Sequence, residues 1–170
     1  MVWWARSARS GHPRAQFYLG TCYDFGRGTV RNVRRAMTLY RSAAIQGNEA
    51  AQYNLALGYR DGEGLPQDAR CSVYWLKRAA AQNDPDALRD LGVCYYEGRG
   101  TPRNWPAAAR CYRLAAQQGD AKAMSNLGLC YRDGVGVRRS GAMAQRWLKK
   151  AARAGNRVAR RILNSMRTRA

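Results

Sequence analysis

One signature returns every 36 residues through almost the whole chain. It first runs Ala15, Leu19-Gly20, Tyr23, Gly26, Gly28, Ala36, Tyr40, Ala43-Ala44 and Gly47-Asn48. It restarts at Ala51 with Leu55, Tyr59, Gly62, Gly64, Leu76 and Ala79-Ala80. A third copy begins at Ala87 with Leu91-Gly92, Tyr95, Gly98, Gly100, Tyr112, Ala115-Ala116 and Gly119-Asp120. The fourth begins at Ala123 with Leu127-Gly128, Tyr131, Gly134, Gly136, Leu148, Ala151-Ala152 and Gly155-Asn156. No insertion or deletion breaks the register. A fixed period of this size is the mark of stacked repeats, each too small to bury its own apolar face, so function belongs on an extended surface rather than in a closed catalytic pocket.

Each unit holds two helical patterns. Ala15, Leu19, Gly20 and Tyr23 fall at i, i+4, i+5 and i+8, one stripe of a helix. Ala36, Leu39, Tyr40, Ala43 and Ala44 make a second such stripe. Between them stand glycine pairs, Gly26/Gly28, Gly62/Gly64, Gly98/Gly100 and Gly134/Gly136, which supply the left-handed backbone that ends a helix. Gly47-Asn48, Asn83-Asp84, Gly119-Asp120 and Gly155-Asn156 read as a stop followed by a new start. Alanines and Gly20 allow close helix approach, and Trp75, Tyr112 and Trp147 fill the space between layers.

The run Ala-Gln-Tyr-Asn-Leu at 51–55, with Tyr59, Gly62-x-Gly64 and Trp-Leu-Lys-Arg-Ala-Ala at 75–80, resembles the Sel-one-like repeat family, relatives of the tetratricopeptide repeat. The likeness covers residues 15–158. It implies an all-α, right-handed α-solenoid of antiparallel helix pairs, with first helices lining a concave face, and a role as a non-enzymatic adaptor or scaffold for other proteins.

The ends are in phase too. Trp3-Trp4 fall where Trp75-Leu76 and Trp147-Leu148 fall, so residues 1–14 read as a partial repeat, the back half of a second helix. An Arg- and Ser-containing start without acids also fits a transit segment, but the phase match favours the half-repeat. Residues 15–158 form four full repeats, and 159–170 a basic C-terminal cap helix in which Asn164 and Arg167 replace the glycine and tyrosine of the pattern.

The formal net charge is +19. Residues 1–50 carry eight Arg against two acids, 51–122 ten basic residues against eight acids, and 123–170 twelve against Asp133 alone. Arg138, Arg139, Lys149, Lys150, Arg153, Arg157, Arg160 and Arg161 therefore form a positive field suited to nucleic acid, an acidic protein segment or an anionic surface. The alternative function is accordingly a basic structural component of a ribonucleoprotein assembly, touching RNA phosphate through this segment. Arg outnumbers Lys 26 to 4, which also fits a compositional bias.

Catalytic and cofactor chemistry finds little support. The glycine pairs close helices and lack a following Lys-Ser/Thr, so they do not cradle phosphate. His12 is the only histidine, which rules out a Ser-His-Asp triad or a two-histidine metal site within the chain. Asp61/Glu63 and Asp84/Asp86 each lie at a helix end, where carboxylates serve the helix terminus or the solvent. Cys22, Cys94 and Cys130 share one phase, Cys111 takes the packing position of Trp75, and Cys71 begins a second helix. Stacked helices lie about 8–10 Å apart, beyond the roughly 7 Å reach of a disulfide. Buried thiols in a reducing intracellular compartment are expected, with no cofactor, metal or small-molecule substrate.

Binding is expected on first-helix positions that do not pack. Three ladders at repeat spacing offer themselves: Tyr18, Asn54, Asp90 and Asn126; Phe17, Tyr53, Arg89 and Ser125; and Asp24, Arg60, Tyr96 and Arg132. By resemblance to tetratricopeptide proteins, Asn54 and Asn126 would hold the backbone of an extended peptide. Satisfying neighbouring helix ends is the competing role for both.

Overall fold

A computed structural model describes residues 2–167, and the side chains of residues 2–5 and 167 lie outside what is described, so the Trp3-Trp4 expectation does too. The described residues are all helical or loop: α1 (Val2–Arg9), α2 (Pro13–Phe25), α3 (Val33–Ile45), α4 (Glu49–Asp61), α5 (Ala69–Ala80), α6 (Pro85–Glu97), α7 (Trp105–Gln117), α8 (Ala121–Asp133), α9 (Gly141–Arg153) and α10 (Arg157–Arg167). The chain divides into two compact units, residues 1–82 with α1–α5 and residues 83–170 with α6–α10. In unit 1 each of these helices packs on the next in chain order, and in unit 2 α6 to α10 do the same.

Local chemistry fixes where each helix starts and stops. Asn32, Asn48, Asp68, Asp84, Asn104, Asp120 and Ser140 each accept a backbone N–H from the first turn they precede. Asn156 does the same for Ala159 at 3.0 Å. Each such cap is worth about 1 kcal/mol. The first helices α2, α4, α6 and α8 end on Gly26, Gly62, Gly98 and Gly134, all left-handed.

The second glycine of each pair has a different task. At Gly64 (φ 70°), a Cβ would stand 2.9 Å from the backbone carbonyl of Val33 at the start of α3. At Gly136 (φ 69°) it would stand 2.1 Å from the carbonyl oxygen of Trp105. The loop thus rests directly on the previous repeat's second helix, and only a residue without a side chain fits.

The core is built of alanine and a few large side chains. Ala15, Ala51, Ala87, Ala123 and Ala159 are buried at one phase, and Ala43, Ala79, Ala115 and Ala151 at another. The Tyr40 and Tyr112 rings lie on Gly20 and Gly92, within 2.8 Å of where a Cβ would be, and Leu148 takes the same place on Gly128. Leu55, Leu76, Leu127 and Leu148 are fully buried, each contributing about 2 kcal/mol. Trp75 and Tyr112 are buried as expected, whereas Trp147 is half-buried with its ring under the Lys150 ammonium at 4.8 Å.

Candidate functional site

Between successive first helices each unit carries a groove at the same phase. In unit 1 it lies between α2 and α4, a cavity of about 380 Å³ lined by Asp24, Met37, Asn54, Leu57, Asp61 and neighbouring residues. In unit 2 it lies between α6 and α8, about 230 Å³, lined by Val93, Tyr96, Tyr112, Asn126, Leu129, Asp133 and their neighbours. A second cavity of about 630 Å³ shares Val93, Asn126 and Leu129 and extends the groove to Arg157 and Val158 at the start of α10. The floor is apolar, and Leu57, Val93 and Leu129 occupy one repeat position, half-exposed on the side of the helix away from the core.

The two grooves differ in their polar groups. In unit 1 the Tyr40 hydroxyl donates to Asp24 Oδ2 at 3.1 Å and lies within hydrogen-bonding reach of Asn54. Burial and the Asp24 carboxylate together push that hydroxyl well above the ordinary phenol range. In unit 2 the place of Asp24 is taken by Tyr96, half-exposed at 41%. Burial again raises the Tyr112 hydroxyl. Among the described residues, however, neither the Tyr112 hydroxyl nor the Asn126 side-chain amide has a hydrogen-bond partner, and both residues line the cavity. The unit 2 groove therefore offers an amide and a hydroxyl whose hydrogen-bonding capacity the chain itself does not use.

The three sequence ladders are distributed unevenly. Tyr18, Asn54, Asp90 and Asn126 are all half-buried. Arg89 and Asp90, placed in separate ladders by sequence, are bound together at 2.8 Å. Arg89 also donates to Asp86 and to Asp120 at 2.9 Å, and its side chain is only 13% exposed. Asp120 meanwhile caps α8 through its other oxygen. This cluster ties one repeat to the next. At the same position in unit 1, Phe17 stacks on Tyr18 and Tyr40 with centroids 5.4 and 5.8 Å away. Arg60 and Arg132 each pair with the adjacent Asp61 and Asp133, at 2.8 and 2.7 Å, at the groove rim. Those arginines hold both carboxyls below the usual carboxylate range.

The expected basic segment is spread over three elements. Arg138 and Arg139 lie in the loop before α9, Lys149, Lys150 and Arg153 on α9, and Arg157, Arg160 and Arg161 on α10, all exposed. None of the five cysteines forms a disulfide. Cys94, Cys111 and Cys130 are buried, while Cys22 and Cys71 are only half-buried. Burial pushes the Cys111 and Cys130 thiols up to about 11. No helix among the described residues is long and apolar enough to cross a membrane. Sequence reasoning missed Leu57, Val93 and Leu129. Their signal was present, as apolar residues recurring at repeat spacing on the face opposite the core stripe.

A helical-repeat scaffold with a recurrent surface groove is the class that fold and site define. The Sel1 repeat model matches residues 13–48, 49–84, 85–120 and 121–156, and the chain belongs to that family. Sel1-repeat proteins are helical-repeat scaffolds, generally modules of protein interaction. The chain is similar to a protective antigen of uropathogenic Escherichia coli displaying an SLR fold, at 39% identity and TM-score 0.94, covering 98% of this chain and 36% of that one. It is also similar to a Sel1 repeat protein from Oxalobacter formigenes, at 36% identity and TM-score 0.86, covering 91% of this chain and 63% of that one. It thus spans less than two thirds of the length of either relative. Cysteine rich protein B of Helicobacter pylori shares the fold at 22% identity and TM-score 0.63, over 78% of this chain and 98% of that one. No curated protein matches the chain.

Proposed function

We propose that the chain is a non-enzymatic adaptor that docks an extended segment of another protein along the first-helix face, in the groove over α6, α8 and the start of α10. The observation that carries this reading is the pairing of an apolar floor, Val93 and Leu129, with the uncommitted polar groups of Tyr112 and Asn126. An extended peptide supplies backbone N–H and C=O groups for the polar pair and side chains for the floor. Asn126 is the central contact, since it faces both cavities. Tyr96 and Arg132 stand at one end and Lys122 and Arg157 at the other. In unit 1 the Tyr40 hydroxyl is held by Asp24 beside the corresponding Asn54, so Tyr18, Tyr53 and Arg60 there supply secondary contacts.

Selection of binders from a random dodecapeptide library tests this reading. Peptides recovered on the protein should bind Leu129→Glu at least about tenfold more weakly, as expected when one well-packed contact is lost. Recovery of no peptide, or of peptides indifferent to Leu129→Glu and Asn126→Ala, would sink it. A reducing compartment is part of the same proposal, resting on five cysteines that form no disulfide. Fewer than five free thiols in the denatured, unreduced protein isolated from its own cell would contradict it.

A further inference from the structure

Charge in this chain is sorted by helix type. The second helices α3, α5, α7 and α9 hold twelve Lys and Arg and no acid. The first helices α2, α4, α6 and α8 hold five Lys and Arg against seven Asp and Glu. A compositional preference for arginine would load every solvent-facing position alike, so it does not produce this division. All twelve second-helix cations are exposed. Four of them, Arg41, Lys77, Arg113 and Lys149, occupy one repeat position, two in each unit. That position lies on the stripe opposite the buried Ala36, Tyr40 and Ala43 phase.

Aromatic rings are interleaved with these cations. The Arg78 guanidinium lies 5.9 Å from the exposed Tyr74 ring, and Arg103 lies 5.3 Å from the half-exposed Trp105. We propose that, within each unit, the exposed face of its second helices binds the phosphate backbone of single-stranded nucleic acid, independently of the peptide groove. Arginine forks match phosphate oxygens two at a time, and rings already paired with guanidinium groups offer planes on which bases stack. A bilayer is the poorer fit. Surface attachment to lipid needs a cluster of apolar side chains to insert, and the large exposed apolar residues of these helices, Ile45, Tyr74, Trp105 and Leu114, are scattered over α3, α5 and α7. An acidic polypeptide would meet the charge but make no use of the rings.

The test is fluorescence anisotropy with a labelled 20-mer of uridine. Neutralising two phosphates in each unit predicts a salt slope of about −1.4 per site, a loss of affinity of roughly sevenfold between 50 and 200 mM salt. A variant carrying Arg41→Glu, Lys77→Glu, Arg113→Glu and Lys149→Glu should bind at least about 30-fold more weakly at low salt. A control with the same change in net charge, Arg27→Glu, Arg138→Glu, Arg160→Glu and Arg161→Glu, should lose no more than about threefold. The corresponding glutamine variants repeat the comparison should charge reversal impair folding. Cross-links from 4-thiouridine oligonucleotides to wild-type protein should map to α3, α5, α7 and α9. Equal weakening of both variants, a larger loss in the control, or cross-links on the first helices would overturn the proposal. So would binding to phosphatidylserine vesicles or polyglutamate in the absence of oligonucleotide binding, or no binding to any of the three.

Discussion

Where unit 1 sets Asp24 against the Tyr40 hydroxyl, unit 2 has Tyr96, and the Tyr112 hydroxyl finds no partner among the described residues. A second contrast runs along the repeat junctions. In unit 1 the buried Gln52 donates to the Ala44 carbonyl at 3.1 Å and accepts from Gln82 at 2.9 Å, and Gln46 donates to Gln16 at 2.9 Å. In unit 2 the positions of Gln16 and Gln52 are held by Leu88, buried, and Met124, half-buried. A third contrast exchanges Phe17 and Tyr53 for the Arg89 ion cluster. The period fixes the backbone and the alanine-glycine contacts, while each unit satisfies or exposes polar groups in its own way. Unit 1 engages its groove hydroxyl and its junction glutamines internally; unit 2 leaves its groove hydroxyl available to a ligand.

Substitutions at equivalent positions can break this comparison. The largest effect is expected at the loop glycines. Gly136→Ala should cost about 3 kcal/mol or more and Gly64→Ala about 2, because each forces a Cβ against backbone at a left-handed residue. Urea denaturation reads both, and equal, negligible losses would show that the loops do not rest on the preceding helix. Next comes Arg89→Met, which removes the cation shared by Asp86, Asp90 and Asp120 at a half-buried junction and should cost about 2–3 kcal/mol. Tyr53→Met in unit 1 should cost less than about 1, and amide hydrogen exchange in α6 and α8 should rise only for the arginine variant.

Tyr40→Phe should lose about 1 kcal/mol, the net worth of one buried hydrogen bond, and Tyr112→Phe close to none. The reverse order would mean that Tyr112 is the engaged hydroxyl. The smallest effect concerns acid. Hydrogen bonds from the Cys71 and Arg70 amides hold the Asp68 carboxyl below its usual value. Its contribution is therefore present above the unfolded carboxylate pKa of about 4 and lost as pH falls through the lower folded value. The caps at the same repeat position in unit 2 are Asn104 and Ser140, neither of which titrates. Replacing Asp68 with Asn should thus reduce the drop in Tm between pH 6 and pH 2.5, and Asn104→Asp should increase it.

Much of this was legible because a repeat repeats its evidence. Gly26, Gly62, Gly98 and Gly134 announce helix ends by themselves, since few other residues accept φ near 70°. Asn83 is informative for the same reason, being the non-glycine residue at φ 68° where its counterparts are glycine. The cysteines were also readable as packing residues, although Cys22 and Cys71 are less buried than expected. The grooves were harder to see. Leu57, Val93 and Leu129 stand off the core stripe, and apolar residues on a solvent side look like scatter until a neighbouring helix builds a wall beside them.

What the sequence determined by itself is local: helix periodicity, caps, stops and the 36-residue register, all set by interactions within a few residues of one another. It also determined the sorting of charge, although that division becomes visible only once residues are assigned to first and second helices rather than to stretches of chain. Tertiary structure decided the rest. It brought Arg89 to Asp120 across 31 residues, laid Gly136 on the Trp105 carbonyl, and joined Asp24 to Tyr40 while leaving the Tyr112 and Asn126 side chains facing the groove. These outcomes depend on which side chains meet across a repeat boundary, and a one-dimensional period specifies the meeting place without specifying what is said there in hydrogen bonds and charge.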